Sequence, residues 1–400
     1  MTQQPTRPAR VEYVKITNFR SLQNVEFKNL TPLTALLGAN GSGKSTFFDA
    51  FAFLSDCFSD GLRRAVDKRG KFSDLRSREQ TGPITFEVAY REGRLVGDKR
   101  PNLVRYHLEI DDELGKPVVA AEWMHWKRQS YGHPFRFLDY KMGQGSVITG
   151  EVPENDDARV DRALAGPDVL AVSTLGQFAE NPRVKSLRDF ITGWHLSYLA
   201  ASETRVVPEA GPQEHLSRTG GNLANVIQFL SEQHPKVLET IFATLRRRIP
   251  KLESVEPVAL PSGHLLLTVK DAPFSEGVQA RYVSDGTLKM LAYLVQLHDP
   301  APPPFLGIEE PENFLHPKLL YELAEECNVA SANMQMVVTT HSPFFINALE
   351  AKQVWALRRN ELGYTEAVRA SEMMGIEHQL VEGAKLGQLW LEGYFEAGNP

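Results

Sequence analysis

The chain has few of the features that would take it out of the ordinary globular class. It has two cysteines in 400 residues, Cys57 and Cys327, far apart and in helix-like segments. That argues against a disulfide framework or a cysteine metal site and fits two buried thiols in a reducing compartment. No apolar run reaches the ~18 residues a membrane helix needs, so no membrane insertion is expected. Met1 to Arg10 is polar and lacks the apolar centre of a signal peptide, so the expected location is cytoplasmic. Neither sign of charge dominates: 44 basic residues stand against 50 acidic ones, a net charge of −6. The whole surface is therefore no polyanion binder, and nucleic acid would need a local patch. Internal repeats, low-complexity tails and sustained heptads are also missing. What remains, 42% hydrophobic and 24% charged, suffices for one large or two modest cores.

The most informative stretch that is present reads Gly38-Ala-Asn-Gly-Ser-Gly-Lys-Ser-Thr46, directly after the apolar run Leu33 to Leu37. This is a phosphate-binding P-loop between a strand and a helix. Its glycines let backbone N–H groups turn inward, Lys44 supplies a mobile positive charge, and the Ser45 hydroxyl suits Mg²⁺. The helix that follows, over Lys44 to Phe58, aims its positive dipole end at the same anion. The pattern names a nucleoside triphosphate as ligand but does not choose between kinase, GTPase, helicase and transporter.

The remaining pattern predicts an α/β protein. Val11 to Ile16 and Leu22 to Phe27 read as two strands around a turn at Asn18 to Ser21. Residues 84 to 150 hold strand-like stretches, among them Leu103 to Ile110 and Val118 to His125, and suggest an antiparallel sheet. Residues 157 to 194 read as helical. Asn222 to Arg248 reads as two helices broken at His234-Pro235, with Asn222 as the cap. Leu265 to Val269 and Val278 to Val283 read as strands, and Thr287 to His298 as a helix. Then strands Phe305 to Ile308, Met336 to Thr340 and Val354 to Leu357 alternate with helices Pro317 to Asn328 and Pro343 to Leu349, which predicts a parallel sheet. The P-loop strand lies almost three hundred residues earlier, so the nucleotide fold is expected to be assembled from both ends of the chain.

Three further stretches carry chemistry. Phe305-Leu-Gly-Ile-Glu-Glu310 is an apolar strand ending in two carboxylates. One suits a magnesium ion and the next an attacking water, although a solvated acidic loop, Glu309 to Glu312, would look the same. Val337-Val-Thr-Thr-His-Ser342 is a second buried strand ending in polar groups. Parallel strand ends share one rim, where His341 would face a phosphate or, alternatively, cap the next helix. Tyr282-Val-Ser-Asp-Gly-Thr287 precedes a helix and is either a second anion site or an ordinary cap made by Ser284 or Asp285.

Taken in order, these stretches resemble ATP-binding-cassette (ABC) ATPases, and within them the RecF/SMC-like branch that includes the OLD-family ATPases. Ile16-Thr-Asn-Phe-Arg-Ser-Leu22, Ile308-Glu-Glu-Pro-Glu-Asn-Phe-Leu-His-Pro317 and Thr339-Thr-His-Ser-Pro343 carry the likeness, which spans Val11 to Leu357. It implies an ABC-type P-loop ATPase head with an antiparallel β subdomain, a helical signature subdomain and no long coiled coil. Residues 11 to 200 would form the first lobe, 201 to 300 the signature region, 301 to 358 the core with both carboxylates and the histidine, and 359 to 400 an extension. Its cofactors would be ATP and Mg²⁺. Asn40, Gly41, Ser42, Gly43, Lys44, Ser45 and Thr46 would hold phosphates. Ser45 and Glu309 would serve the metal, Glu310 would be the base, and His341 would sense the γ-phosphate. Arg20 would lie near the nucleotide. Gln177 would be the glutamine that contacts it, unless it is a surface residue. Ser284, Asp285 and Gly286 would meet the nucleotide of a second copy of the chain. Two positions depart from the pattern: Glu309 stands where many relatives have Asp, and Asp285 brings a negative charge into the signature turn.

The resemblance implies a nucleotide-switched dimer in DNA repair or in defence against phage and other foreign DNA, controlling a separate nuclease or toxin subunit. The alternative is an ABC engine that drives a transport or other partner protein. Three basic clusters are candidates for DNA contact: Arg63 to Arg78, Arg246 to Lys251, and Trp126-Lys-Arg128 with Tyr131, Phe135, Arg136 and Phe137. Each reads equally as a solvated face.

Overall fold

The computed structural model describes residues 8–93, 102–126, 135–150 and 159–395. An eight-stranded antiparallel sheet begins with the hairpin Arg10–Phe19 and Leu22–Lys28 and continues outward through Ile84–Arg91, Leu103–Glu113, Lys116–Trp126, Phe135–Lys141, Gln144–Ile148 and Arg159–Asp161. A six-stranded sheet lies against it. Its order is Trp194–Ser197, Phe305–Glu309, Gln335–Thr340, Leu33–Leu37, Val354–Arg359, Thr365–Arg369, and only the last strand runs antiparallel. The P-loop strand is thus flanked by two strands from the far end of the chain, as the split of the motifs predicts.

The helix Lys44–Ser59 fills the space between the two sheets, and its composition explains why. Phe47, Phe48, Phe51, Phe53 and Phe58 are all buried and point in several directions around it. A helix apolar on every side must be covered on every side. Phe53 packs on Phe19 and Phe86 of the antiparallel sheet, and Phe51 stacks on Phe305 of the parallel one. Burying each such ring contributes about 1.5–3 kcal/mol. The contact with the parallel sheet is close enough to demand glycine at 307, where a Cβ would lie 2.2 Å from the Phe48 ring. The opposite face of the parallel sheet buries Leu33, Ala35, Leu306, Ile308, Met336 and Val338 under helices. Strands covered on both faces read as continuous apolar runs, which is why these three were legible as core strands.

Other segments differ from expectation. Residues 163–170 are irregular, and the only helices between 159 and 194 are Ala171–Leu175 and Pro182–Thr192. Trp194–Ser197, a parallel edge strand, is too short to show periodicity. Val278 to Val283 is a strand only at Val278–Gln279 and then a 3-10 turn, Ala280–Tyr282. It joins Leu265–Asp271 and an unanticipated strand, Leu252–Ala259, in a three-stranded antiparallel sheet beside the helices Leu223–Gln233 and Pro235–Arg248. The predicted helix Pro343 to Leu349 is helical only over Pro343–Ile346. No helix among the described residues is long and apolar enough to cross a membrane. Both cysteines are buried, and burial pushes both thiols up.

Candidate functional site

Three parallel strands end on one rim. Glu309 pairs with Thr339, and Thr340 pairs with Leu37, the residue before the P-loop. The histidine strand therefore lies between the P-loop strand and the strand of the two carboxylates. This register brings Lys44, Ser45, Glu309, Glu310 and His341 together. Lys44 is buried, and its ammonium donates to the carbonyls of Gly38 (2.6 Å) and Ala39 (3.1 Å). Burial lowers its pKa, while Glu310, Glu312 and Glu309 hold it up. The Ser45 hydroxyl hydrogen-bonds Glu309, whose carboxyl is raised by burial and by Glu310 beside it. Around the loop, Asn40 and Gly41 are exposed, Ser42 and Gly43 are buried, and Thr46 is half-buried at the start of the helix.

The turn after Glu309 is locally strained. Glu310 takes φ 42°, a left-handed value uncommon for a side-chain-bearing residue. Its amide is held by the Thr339 carbonyl at 3.0 Å, and Asn313 reaches its carboxylate at 3.4 Å. This turn keeps both carboxylates at the rim, although neighbouring side chains on a straight strand would point apart. Two residues on, Glu312 folds back on the neighbouring strand end. It accepts the Thr340 hydroxyl (3.0 Å to each oxygen) and the His341 amide (2.6 Å). Burial alone would raise Glu312, but the His341 side chain and amide outweigh it and hold the carboxyl below the usual range. Glu312 therefore does not belong to a solvated acidic loop.

The P-loop is also braced by a segment that the sequence reading left outside the core. Thr365, on the last strand, donates its hydroxyl to Ser42 O (2.9 Å), and its amide bonds Ser21 O (2.8 Å). Arg359 donates to Gly41 O at 2.6 Å. Gly43 sits at φ 110°, where a Cβ would lie 2.2 Å from the Thr365 hydroxyl, so this glycine serves both backbone shape and close approach. Residues 359–369 are thus structural support for the phosphate loop rather than a free extension. Thr365→Val keeps the shape but strands the Ser42 carbonyl. We expect ATP affinity to fall several-fold, consistent with ~1–2 kcal/mol for a lost buried hydrogen bond. Unchanged affinity in a calorimetric titration would show the brace to be idle.

Arg20 (φ 48°) forms an ion pair with Asp49 at 2.7 Å, one turn past Ser45. It lines a cavity of about 920 Å³ beside Thr46, together with Arg76, Arg78, Arg359 and Tyr364. Gln177 is not brought to this rim. It follows the helix Ala171–Leu175, whose Ser173 bonds Phe58 O at the opposite end of the P-loop helix, and its amide is turned back to Ser173 O. The residue this stretch does deliver is Tyr198. The pairing of Ser197 with Ile308 places it beside Glu309, and its phenol is pushed up to about 12 by burial, Glu309 and Asp49.

Ser284, Asp285 and Gly286 lie at the start of the helix Asp285–Leu297, beside Phe314 of the carboxylate turn. The Ser284 hydroxyl caps the helix Asp285–Leu297 by accepting the Thr287 amide, and Gly286 packs on Phe314 O. Among the described residues this turn makes no hydrogen bond to the P-loop of its own chain. The charge of Asp285 is answered by Arg205 at 2.6 Å. The basic clusters are partly engaged in ion pairs. Arg63, Lys68, Arg69 and Arg76 pair with Asp168, Asp56 and Asp60, Asp49 and Asp56, and Asp111 respectively. Arg246 pairs with Glu239, and Arg248 with Glu322 and Glu326. In the third cluster, Lys127, Arg128 and Tyr131 lie outside the described residues.

Comparison with known proteins bears on the whole chain. Residues 162–347 match a family model described as "AAA domain, putative AbiEii toxin, Type IV TA system", and residues 13–118 match a second described as "AAA domain". No curated protein matches the chain. Among solved structures, an SMC head bound to the C-winged helix domain of ScpA aligns with a TM-score of 0.55 at 13% identity, covering 91% of this chain and 99% of that one. An SMC head with an extended coiled coil, bound to the C-terminal domain of ScpA and derived from Pyrococcus furiosus, aligns with a TM-score of 0.51 at 12% identity, covering 93% and 100%. The chain therefore has the fold of the SMC heads, and two of its stretches are similar to AAA domains.

Proposed function

We propose that the chain is an ATP-hydrolysing switch that closes as a dimer around two nucleotides. The observation that carries this reading is the rim itself, where one register gathers a P-loop lysine, two carboxylates and a histidine. The triphosphate lies along the P-loop amides with Lys44 on its outer phosphates, and its nucleoside half takes the cavity beside Thr46. Ser45 and Glu309 would hold Mg²⁺. The fit rests on their being hydrogen-bonded oxygens beside a second carboxylate, a crowding that a divalent cation relieves. Bound there, the ion would neutralise phosphate charge. Glu310 orients and deprotonates the attacking water, and His341 donates to the γ-phosphate.

Ser284 and Gly286 make no hydrogen bond to the P-loop of their own chain among the described residues, and in this reading they serve the nucleotide of a second copy. A triphosphate then contacts both chains and a diphosphate does not, which couples hydrolysis to release. Sedimentation with ATP, but not ADP, should show a doubled mass. Ser284→Arg should stay monomeric while still binding ATP. A wild-type mass that ignores ATP under conditions of full occupancy would overturn the dimer.

For the output of the switch, defence through a separate effector is the better-supported reading. The matched AAA model carries a toxin–antitoxin description, and the SMC heads of this fold are seen with a separate protein docked. Direct DNA binding is less supported, because half of the basic residues that suggested it already face carboxylates.

A further inference from the structure

The strand Phe305–Glu309 leads into three carboxylates, and two of them, Glu309 and Glu310, have roles in the proposed reaction. The third, Glu312, has only 8% of its side chain exposed. Hiding a carboxylate is costly unless its oxygens are used, and here all its close contacts fall on one dipeptide of the neighbouring strand end. Two are the Thr340 hydroxyl and the His341 amide. The other is the His341 ring, whose Nδ1 lies 3.0 Å from Oε1. Even at this distance Nδ1 is not aligned as a hydrogen-bond donor, so the ring contact is an ion pair. A histidine serving only as a helix cap would turn to the amides after Pro343. The cap position there is Ser342, and no side chain caps the helix.

We propose that Glu312 is a positioning residue for His341: it holds the Nδ1 edge of the ring against its own carboxylate and so presents Nε2–H to the terminal phosphate. The proposal rests on reading the rim as a triphosphate site. The charged groups that face His341 are Glu312, Glu310 and Lys44. The carboxylate of Glu312 is the main influence and raises the imidazole above its ordinary range. Burial opposes it, Glu310 adds to it, and Lys44 subtracts. The raised imidazole favours the protonated, donating form of His341 over a base, which leaves the base role to Glu310. Glu312 and Glu310 also act on Lys289, whose ammonium is fixed to Asn313 O at 2.7 Å and pushed down to about 8 by burial, against the pull of the two carboxylates. The helix Asp285–Leu297 is thus tied to the carboxylate turn through Lys289.

The test is a histidine NMR titration of the nucleotide-free protein, with the His341 signal assigned by its loss in His341→Gln. Glu312→Gln keeps an oxygen for the His341 amide and removes the charge. Removing a negative neighbour lowers an imidazole pKa, so His341 should lose its proton about one unit lower in the variant. The alkaline limb of the kcat profile should move by the same amount. Above both pKa values kcat then falls about tenfold with KM little changed, and below both it hardly changes. In the His341→Gln background the same substitution should add almost nothing. A His341 pKa that does not move in Glu312→Gln overturns the proposal, as does full additivity of the two losses. The titration is read without nucleotide, so a chain that hydrolyses no ATP would sink the proposed function and leave this result standing. Glu312→Asp is the second variant should the first fold poorly. It keeps the charge but shortens the reach, so the pKa should fall part of the way, and an unchanged pKa with unchanged kcat counts against the proposal.

Discussion

Glu310→Gln is expected to bind ATP as the wild type does and to hydrolyse it at least ~100-fold more slowly, the scale of a lost general base. The substitution keeps size and removes the charge. The strained turn is held by the Glu310 amide, which bonds Thr339, so the backbone has no reason to relax. Binding should survive because Lys44 and the loop amides are untouched. Single-turnover hydrolysis separates the two, since chemistry is then measured apart from binding and release. A variant that turns over at the wild-type rate would remove Glu310 from the reaction. The neighbouring carboxylate provides a control: Glu309 is engaged with Ser45, so its loss should appear first in the magnesium dependence.

Lys44→Ala should lose ATP affinity by about 10- to 100-fold, the equivalent of one or two charge-assisted hydrogen bonds. The loss has two physical parts. The first is the direct contact between ammonium and phosphate. The second is that Lys44 offsets the charge of Glu310, Glu312 and Glu309 in the free protein, so removing it leaves the rim more negative toward an incoming polyanion. In the free chain the ammonium rests on the carbonyls of Gly38 and Ala39, and nucleotide binding exchanges those bonds for phosphate oxygens. Lys44→Arg should recover only part of the affinity, because a planar fork does not fit a cradle built for a compact ammonium. Titration with a fluorescent ATP analogue measures both variants, and a dissociation constant unchanged in Lys44→Ala would refute the assignment.

The stretches that carry the site are legible in the sequence because their chemistry is local. A P-loop needs its glycines, lysine and serine within nine consecutive residues. A core strand covered on both faces, such as Leu33–Leu37 or Phe305–Glu309, reads as an apolar run, and the polar residue that ends it marks the rim. Glu312 was visible only as one more acid in an acidic loop, because its partners, Thr340 and His341, lie about thirty residues on. Tyr198 follows a four-residue strand too short for any period, while Gln177 drew notice by residue type alone. Thr365 and Arg359 had no signal: nothing in a threonine announces that a backbone carbonyl more than three hundred residues away will need its hydroxyl.

By itself, then, the sequence determined the P-loop pattern, the α/β character and which residues end the core strands, since these follow from residue type and short-range periodicity. Only the tertiary structure decided which residues meet. Parallel pairing sets the histidine strand between the P-loop and the carboxylates. The phenylalanine-rich helix is clamped between two sheets, the last strand braces the phosphate loop, and Glu312 reaches His341. These are long-range contacts whose register depends on the packing of both sheets around that one helix, and no local run of residues encodes them.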